Sequence, residues 1–201
     1  MATTKRGNEI PTIDVALVTF TPAGGDTEIA LDTANQIEVS VQSQTQDAVQ
    51  LIVKGRLIAQ KREKVTITGH TITLTDNVFN PELVKMLQGG TIKYWTSAAQ
   101  SDTQDTDAGF GVASYTPPVA GSTEEVKPGT LKCYSSIYDA AGILTGYECI
   151  SYPNATGTPI ALNSEDDAFR APEYTINSAP SNGQAPYEIS YVKELPDVTE
   201  V

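Results

Sequence analysis

The sequence predicts a mainly β protein with one short α-helix. Apolar and polar residues alternate with a period of two in many short segments, and β-branched and aromatic residues fill these segments. Glycine, proline and asparagine separate the segments from one another, as they do between strands. The chain has 201 residues, which suits one large all-β domain and can bury a core without disulfides or a metal.

The predicted strands begin near the start of the chain. In residues 13–20, Ile13, Val15 and Leu17 alternate with their neighbours and are expected on one face. Residues 37–42 alternate in the same way and predict a half-buried strand with one polar face. Similar β signals recur in residues 49–60, 65–75, 91–95, 130–138, 146–152 and 187–192.

One helix is predicted at residues 81–88. Asn80 can cap the free amides of its first turn, and Pro81 suits the first helical position, where its missing N–H costs nothing. Gly89 supplies a left-handed stop. The apolar stripe consists of Leu83, Met86 and Leu87. A helix of about two turns is not stable alone, so it is expected to dock on the sheet.

A hairpin is predicted around the turn at residues 139–142. Pairing about Ala141 sets Cys133 opposite Cys149. These two cysteines are expected either to be free thiols that touch across a buried face or to form a disulfide.

Residues 97–129 differ in character from the rest of the chain. They are rich in Ser, Thr, Gly, Pro and Asp and show no strong period, so they are interpreted as a long insertion loop within one domain spanning residues 1–201. Within the insertion, residues 112–115 are expected to pair locally.

The charge is acidic and unevenly distributed. The net charge is -12, of which residues 1–100 carry -1 and residues 101–201 carry -11. Such acidity argues against a protein that grips nucleic acid by neutralising phosphates. The start of the chain shows no secretory signal, and its apolar runs are short, so a protein made and folded in a reducing cytoplasm, with no membrane partner, is expected.

One basic segment stands out in the first half and is predicted to lie at the end of a hairpin. It contains Lys54, Arg56, Lys61, Arg62 and Lys64. Charge on a strand edge keeps the edge soluble, which is one interpretation. The other is that the segment contacts an acidic surface on another copy of the chain.

The sequence predicts no catalytic, metal-binding or cofactor-binding residues, and hence no enzyme. His70 is the only histidine and is expected at a turn or strand bend. No nucleophile elbow, phosphate-binding loop or C-x-x-C pair occurs. The Asp-rich residues 102–109 do not fit a calcium loop. Residues 165–167 are interpreted as an acidic turn before Phe169.

Two stretches resemble a known family. The first is residues 66–83, which contain the run Gly-His-Thr-Ile-Thr-Leu-Thr-Asp and continue into Leu-Gln-Gly-Gly at 87–90. The second is residues 152–159 followed by residues 169–176. Together with residues 187–192, these stretches resemble the major tail (tail tube) proteins of tailed bacteriophages.

The resemblance implies two packed antiparallel sheets, sandwich or barrel-like, with the helix on their flank. It also implies a structural virion protein that forms rings, commonly of six, which stack into a tube through which DNA is ejected without specific binding. Expected partners are further copies and other tail proteins such as the terminator, tape measure and baseplate. The expected location is the virion tail.

Two alternatives remain open at this point. One is a tail terminator or baseplate component. The other is a β-sandwich module that binds a ligand.

Overall fold

The computed structural model describes residues 9–25, 28–101, 103–106, 109–121, 126–167 and 169–197. The elements in chain order are β1 (Thr12–Pro22), β2 (Ile29–Leu31), β3 (Ala34–Gln46), β4 (Val49–Val53), β5 (Arg56–Lys61), β6 (Lys64–Asp76), α1 (Pro81–Gln88), β7 (Thr91–Trp95), β8 (Gln104–Asp105), β9 (Val112–Thr116), β10 (Gly129–Tyr138), β11 (Leu144–Gly157), β12 (Glu173–Ser178) and β13 (Glu188–Val192).

The strands form one large antiparallel sheet and two small ones. The large sheet has the order β2-β1-β10-β11-β12-β6-β3, and β13 also pairs with β11. The small sheets are the β4-β5 hairpin and the group β8-β7-β9. Phe20, Leu131, Tyr174 and Ile72 come from strands across the large sheet and share one core cluster. The sheet therefore curves around its core, and the predicted mainly β fold with one short helix is confirmed.

The helix begins and ends where the sequence predicts. The Oδ1 atom of Asn80 accepts hydrogen bonds from the amides of Glu82 and Leu83 at 3.0 and 3.1 Å. Gly89 has a φ of 79° and donates its N–H to the carbonyl of Lys85 at 2.8 Å. Local capping chemistry therefore fixes both ends.

The buried face of the helix closes one side of the core. Leu83, Val84 and Leu87 are buried in the main cluster, whereas Met86 is only half-buried. The buried stripe thus contains Val84 in place of the predicted Met86. A side chain at Gly157 on β11 would collide with Leu87 of the helix. The helix and the strand therefore touch backbone to backbone at this glycine.

Strand β1 does not keep the single apolar face that its alternation predicts. Its pairing with β10 is irregular between Ile13 and Leu17, and Asp14 has a φ of 61°. Val15 packs on the main core, whereas Leu17 belongs to a second cluster with Tyr134 on the other side of the sheet. The irregularity changes the face on which the later residues lie.

The predicted contact between the two cysteines is wrong. Tyr138 pairs with Leu144, as the turn requires, but Thr145 is an extra residue and Gly146 then pairs with Ile137. This bulge shifts the register by one residue, so neither cysteine lies opposite the other and the two side chains point to opposite faces.

Both cysteines are free and buried. Cys133 belongs to the main core and Cys149 to the second cluster. Burial raises the pKa of the Cys133 thiol to about 12.

The insertion at residues 97–129 contains strands as well as loop. β9 pairs with β7, which places residues 112–115 in the expected local pairing. The hydroxyl of Tyr115 donates to the carbonyl of Gly89 at 2.8 Å, and that of Tyr94 donates to Glu82 Oε1 at 2.9 Å. Burial and the hydrogen bond to Glu82 raise the pKa of Tyr94 to about 12. The small sheet is thereby tied to both ends of the helix.

The contact at Gly157 gives a stability prediction. The variant Gly157→Val is expected to lose about 1–3 kcal/mol of unfolding free energy, because the added side chain forces the helix away from β11. Urea unfolding followed by circular dichroism measures this loss. Gly109→Ala is the control, since a Cβ there meets nothing within 4 Å. Equal stability of Gly157→Val and the unmodified protein would contradict the close packing.

Candidate assembly surface

The pairing of β3 with β6 produces a ribbon that leaves the large sheet. The two strands pair from Ala34 and Asp76 at one end to Gln46 and Lys64 at the other. On its other side, β6 pairs with β12 only as far as His70. Beyond that residue the ribbon consists of β3 and β6 alone, so it projects from the core.

The ribbon carries the β4-β5 hairpin at its far end. The hairpin turn is formed by Lys54 and Gly55, whose φ values are 47° and 76°. Two consecutive residues with positive φ are the requirement of the tight turns that match the twist of antiparallel strands, and glycine at the second position meets it. Lys54 and Arg56 thus lie at a hairpin turn, as predicted for the basic segment, whereas Lys61, Arg62 and Lys64 lie at the opposite end of the hairpin. The turn also divides the β segment predicted at residues 49–60 into two strands.

All large apolar side chains of the hairpin are exposed to solvent. Their exposed fractions lie between 46% and 65%. The residues are Val49, Leu51, Ile52, Val53, Leu57 and Ile58. Strands with this composition normally cover a core, and exposed apolar surface of this extent indicates a surface that binds a partner.

The register places apolar and basic residues on one face of the hairpin. Val53 pairs with Arg56, Leu51 with Ala59 and Val49 with Lys61. Paired residues share a face, and every second residue of β4 lies on that face. We call this the basic-apolar face: Val49, Leu51, Val53, Arg56, Ala59 and Lys61. An apolar stripe therefore runs beside two cations.

The five basic residues identified from the sequence are all exposed, and they lie at both ends of the hairpin. Lys54 lies in the turn, Arg62 follows β5 and Lys64 begins β6, while Arg56 and Lys61 lie on the basic-apolar face. In the part of the chain that the structure describes, the ion pair present joins Lys132 and Glu28 at 3.5 Å, so the hairpin cations have no ion-pair partner there.

Two further exposed features lie outside the hairpin. β3 is the last strand of the large sheet, so its outer edge has no hydrogen-bonded neighbour among the described residues. On β13, Ile189 and Tyr191 share a face, and Tyr187 immediately precedes the strand; the three side chains are 40–55% exposed. The alternation at 187–192 predicts the strand but does not show that its apolar side faces solvent, and sequence reasoning missed this surface.

His70 lies at the base of the ribbon and is 2% exposed. Its ring contacts those of Tyr152 and Tyr187 edge to face, at centroid distances of 5.3 and 5.5 Å. Its Nδ1 atom is buried and has no hydrogen-bond partner among the described residues, and burial lowers the pKa of the imidazole below the ordinary 6.5. The adjacent Gly69 leaves no room for a side chain against the carbonyl of Ser178.

The described residues contain no group of three or more His, Cys, Asp or Glu side chains that could hold a metal ion. A cleft of about 330 Å³ is lined by Pro159, Asn163, Arg170 and neighbouring loop residues. A second cleft of about 300 Å³ is lined by Thr130, Ser151, Tyr187 and nearby residues. His70 lines neither cleft.

Comparisons with known proteins gave similarities to solved structures. No protein family model matches the chain, and no curated protein matches it. The chain is similar to one in the sheath–tube complex of an extracellular contractile injection system, PVC, in its extended state: TM-score 0.43, 14% identity, 92% of this chain and 93% of that one covered. The chain is also similar to one in the tube-terminating cap of the anti-feeding prophage, with a TM-score of 0.42 and 11% identity, and 94% of this chain and 95% of that one are covered.

A third similarity is to Hcp1 from Flavobacterium johnsoniae, with a TM-score of 0.34, 9% identity, and 89% of this chain and 99% of that one covered. Among the described residues, none of the helices is both long and apolar enough to span a membrane.

The environment of His70 gives a pH prediction. Because burial lowers its pKa in the folded state, the unfolded chain binds more protons below about pH 6.5. The free energy of unfolding therefore has its full value above that pH, where the side chain is neutral in both states, and it decreases as the pH falls.

Urea unfolding between about pH 5 and about pH 8 measures this dependence. In His70→Gln the fall in stability at the acidic end should be smaller than in the unmodified protein. Parallel stability profiles for the two proteins would contradict the assignment.

Proposed function

We propose that this protein is a structural subunit that assembles with copies of itself into stacked rings, forming the tube of a phage-type tail through which DNA passes. The observation that carries the proposal is the β4-β5 hairpin, which exposes apolar side chains on both faces and five cations around them. Such a hairpin is expected to pack on a partner, because two-stranded hairpins are marginally stable in water and need a surface to pack on.

Identical copies supply that surface in a simple way. If the hairpin of one copy binds a different surface of the next, the contact is head to tail, and repetition gives a ring or a filament. The free edge of β3 offers a second contact, since an unpaired edge accepts a strand from a neighbour. A ring joined through sheet edges and stacked through hairpins is a tube.

The charge of the chain suits a channel for DNA. A net charge of -12 repels phosphate groups, so a strand of nucleic acid can move along an acidic wall without being held. The ring size of six and the further tail partners, namely the terminator, tape measure and baseplate, follow the family that residues 66–90 and 152–176 resemble.

Electron microscopy of the purified protein over a range of concentrations tests the proposal. Uniform hollow tubes are the expected result. Rings that never stack would contradict the tube and favour a terminator or baseplate component. Monomers that persist at high concentration would favour the ligand-binding module.

Charge reversal in the hairpin is expected to impair assembly. Lys61→Glu combined with Arg62→Glu places carboxylates where cations face an acidic neighbour, and like charges in an interface cost several kcal/mol. The protein concentration needed for half-maximal assembly should rise at least about tenfold, which corresponds to about 1.4 kcal/mol. Sedimentation of polymer at increasing concentrations measures it.

The matched control is Lys93→Glu combined with Lys193→Glu, which changes the net charge equally at exposed positions away from the hairpin. Normal tubes from the hairpin variant would refute the role of its cations. Impaired assembly in both variants would show an effect of net charge alone.

A further inference from the structure

The loop between β11 and β12 exposes acidic and apolar side chains side by side. It spans residues 158–172, of which residue 168 lies outside the described residues, and we call it the acidic loop. Glu165, Asp166 and Asp167 are exposed at its tip. Phe169 is 100% exposed and Leu162 is 56% exposed. A fully exposed phenylalanine beside three carboxylates is the composition of a binding surface, because aromatic anchors supply most of the energy of an interface.

The acidic loop is held in place at its base. Arg170 donates to the carbonyl of Asn163 at 3.1 Å and to Ser164 Oγ at 2.7 Å. Its guanidinium also lies over the ring of Phe79, 5.9 Å from the centroid. At the start of the loop, the amide of Ile160 donates to Gln88 Oε1 of the helix at 3.3 Å. These contacts order the loop before any partner arrives, which reduces the entropy lost on binding.

The acidic loop and the hairpin lie at opposite ends of β6. The loop leads into β12, whose first residue, Glu173, pairs with Thr75 near the end of β6. The hairpin joins β6 at Lys64. Eleven residue steps along β6, with a bulge at Thr68 among them, separate the two positions, a distance of at most about 37 Å at about 3.4 Å per residue. The loop and the hairpin therefore join β6 at its two ends.

Four other carboxylates have partners within the chain or are buried in it. Glu28 pairs with Lys132, and Asp139 caps the β10-β11 turn. Glu82 binds Tyr94, and Asp76 is fully buried. The three carboxylates at the loop tip are grouped and exposed, and they stand beside apolar anchors. This combination matches the basic-apolar face of the hairpin in both charge and polarity.

We propose that the hairpin of one copy docks on the acidic loop of the next, a contact that rests on the proposed self-assembly. Arg56 and Lys61 face the carboxylates at residues 165–167. Phe169 and Leu162 pack on the stripe of Val49, Leu51 and Val53. Because the two surfaces lie at opposite ends of β6, the contact joins copies along the direction of that strand.

Exchange of charges between the two surfaces tests the docking. The loop variant is Asp166→Lys with Asp167→Lys, and the hairpin variant is Arg56→Glu with Lys61→Glu. Each variant alone brings like charges together and is expected to form no tubes. An equimolar mixture of the two is expected to restore polymer, because each hairpin then meets a loop of opposite charge.

The matched control is Glu194→Lys with Asp197→Lys, which makes the same change in net charge at exposed positions outside the loop. It should assemble normally. Phe169→Ser is a second loop variant and is expected to impair assembly, because it removes the proposed apolar contact with the hairpin. The fold should be unaffected, since a fully exposed side chain contributes no packing to it. Circular dichroism confirms that each variant is folded.

Tubes from the loop variant, or no rescue in the mixture, would overturn the docking even if the unmodified protein forms tubes. If the unmodified protein forms no tubes, the proposed function fails, and cross-linking then tests the contact directly. Leu51→Cys protein mixed with Leu162→Cys protein is expected to give disulfide-linked dimers under mild oxidation. The native cysteines do not interfere because both are buried. Absence of the mixed dimer would overturn the docking.

Discussion

The paired strands β3 and β6 are buried in the core at one end and exposed to solvent at the other. Near Asp76, Leu74 and Ile72 are buried against β12 and the helix. Near Gln46, both faces of the same ladder are exposed. The change occurs where β12 ends, at Gly69 and His70, and there the backbone of β12 presses so closely that only glycine fits. The pairing of β3 with β6 continues past this point after a bulge at Thr68, so the hairpin is supported by strands that are anchored in the core.

This arrangement separates the energy of folding from the energy of assembly. The core of the curved sheet is complete without the hairpin, since the main cluster contains no residue of β4 or β5. The apolar side chains of the hairpin remain in water in the isolated chain. Burying them on a partner yields about 25 cal/mol for each Å² of apolar surface covered, and that free energy is available only to association. Each copy is thus a folded unit with an unsatisfied surface.

The sequence predicts those parts of the structure that depend on neighbouring residues. The predicted bounds of the helix are correct to the residue because Asn80 and Gly89 each cap the helical turn next to them. The sequence predicts β structure at residues 49–60 and a hairpin end near the basic residues, but it does not reveal the Lys54-Gly55 turn that divides this segment into β4 and β5. The register of β10 on β11 is not predicted, because the bulge at Thr145 inserts one residue that alternation does not reveal.

The candidate site is predictable only in part, for a related reason. Sequence identifies the cations of the hairpin, but Val49, Leu51 and Val53 have the pattern of a core strand. Whether such a face is covered depends on which other strands reach it. Here β12 stops at Ser178 and leaves the ribbon uncovered. In the sequence, the tip of the acidic loop is interpreted as a surface turn, and the full exposure of Phe169 beside its carboxylates is seen only in the structure.

The positions of the hairpin and the acidic loop at opposite ends of β6 make the subunit a directional object. A stack of such subunits ends in cationic, apolar hairpins on one side and in anionic loops on the other. The two ends are therefore chemically unlike, and growth at one end does not obey the same rate constants as growth at the other. A protein that closes the first end needs an acidic face, and one that initiates from the second end needs a basic one. The polarity of the filament thus follows from the structure of a single subunit.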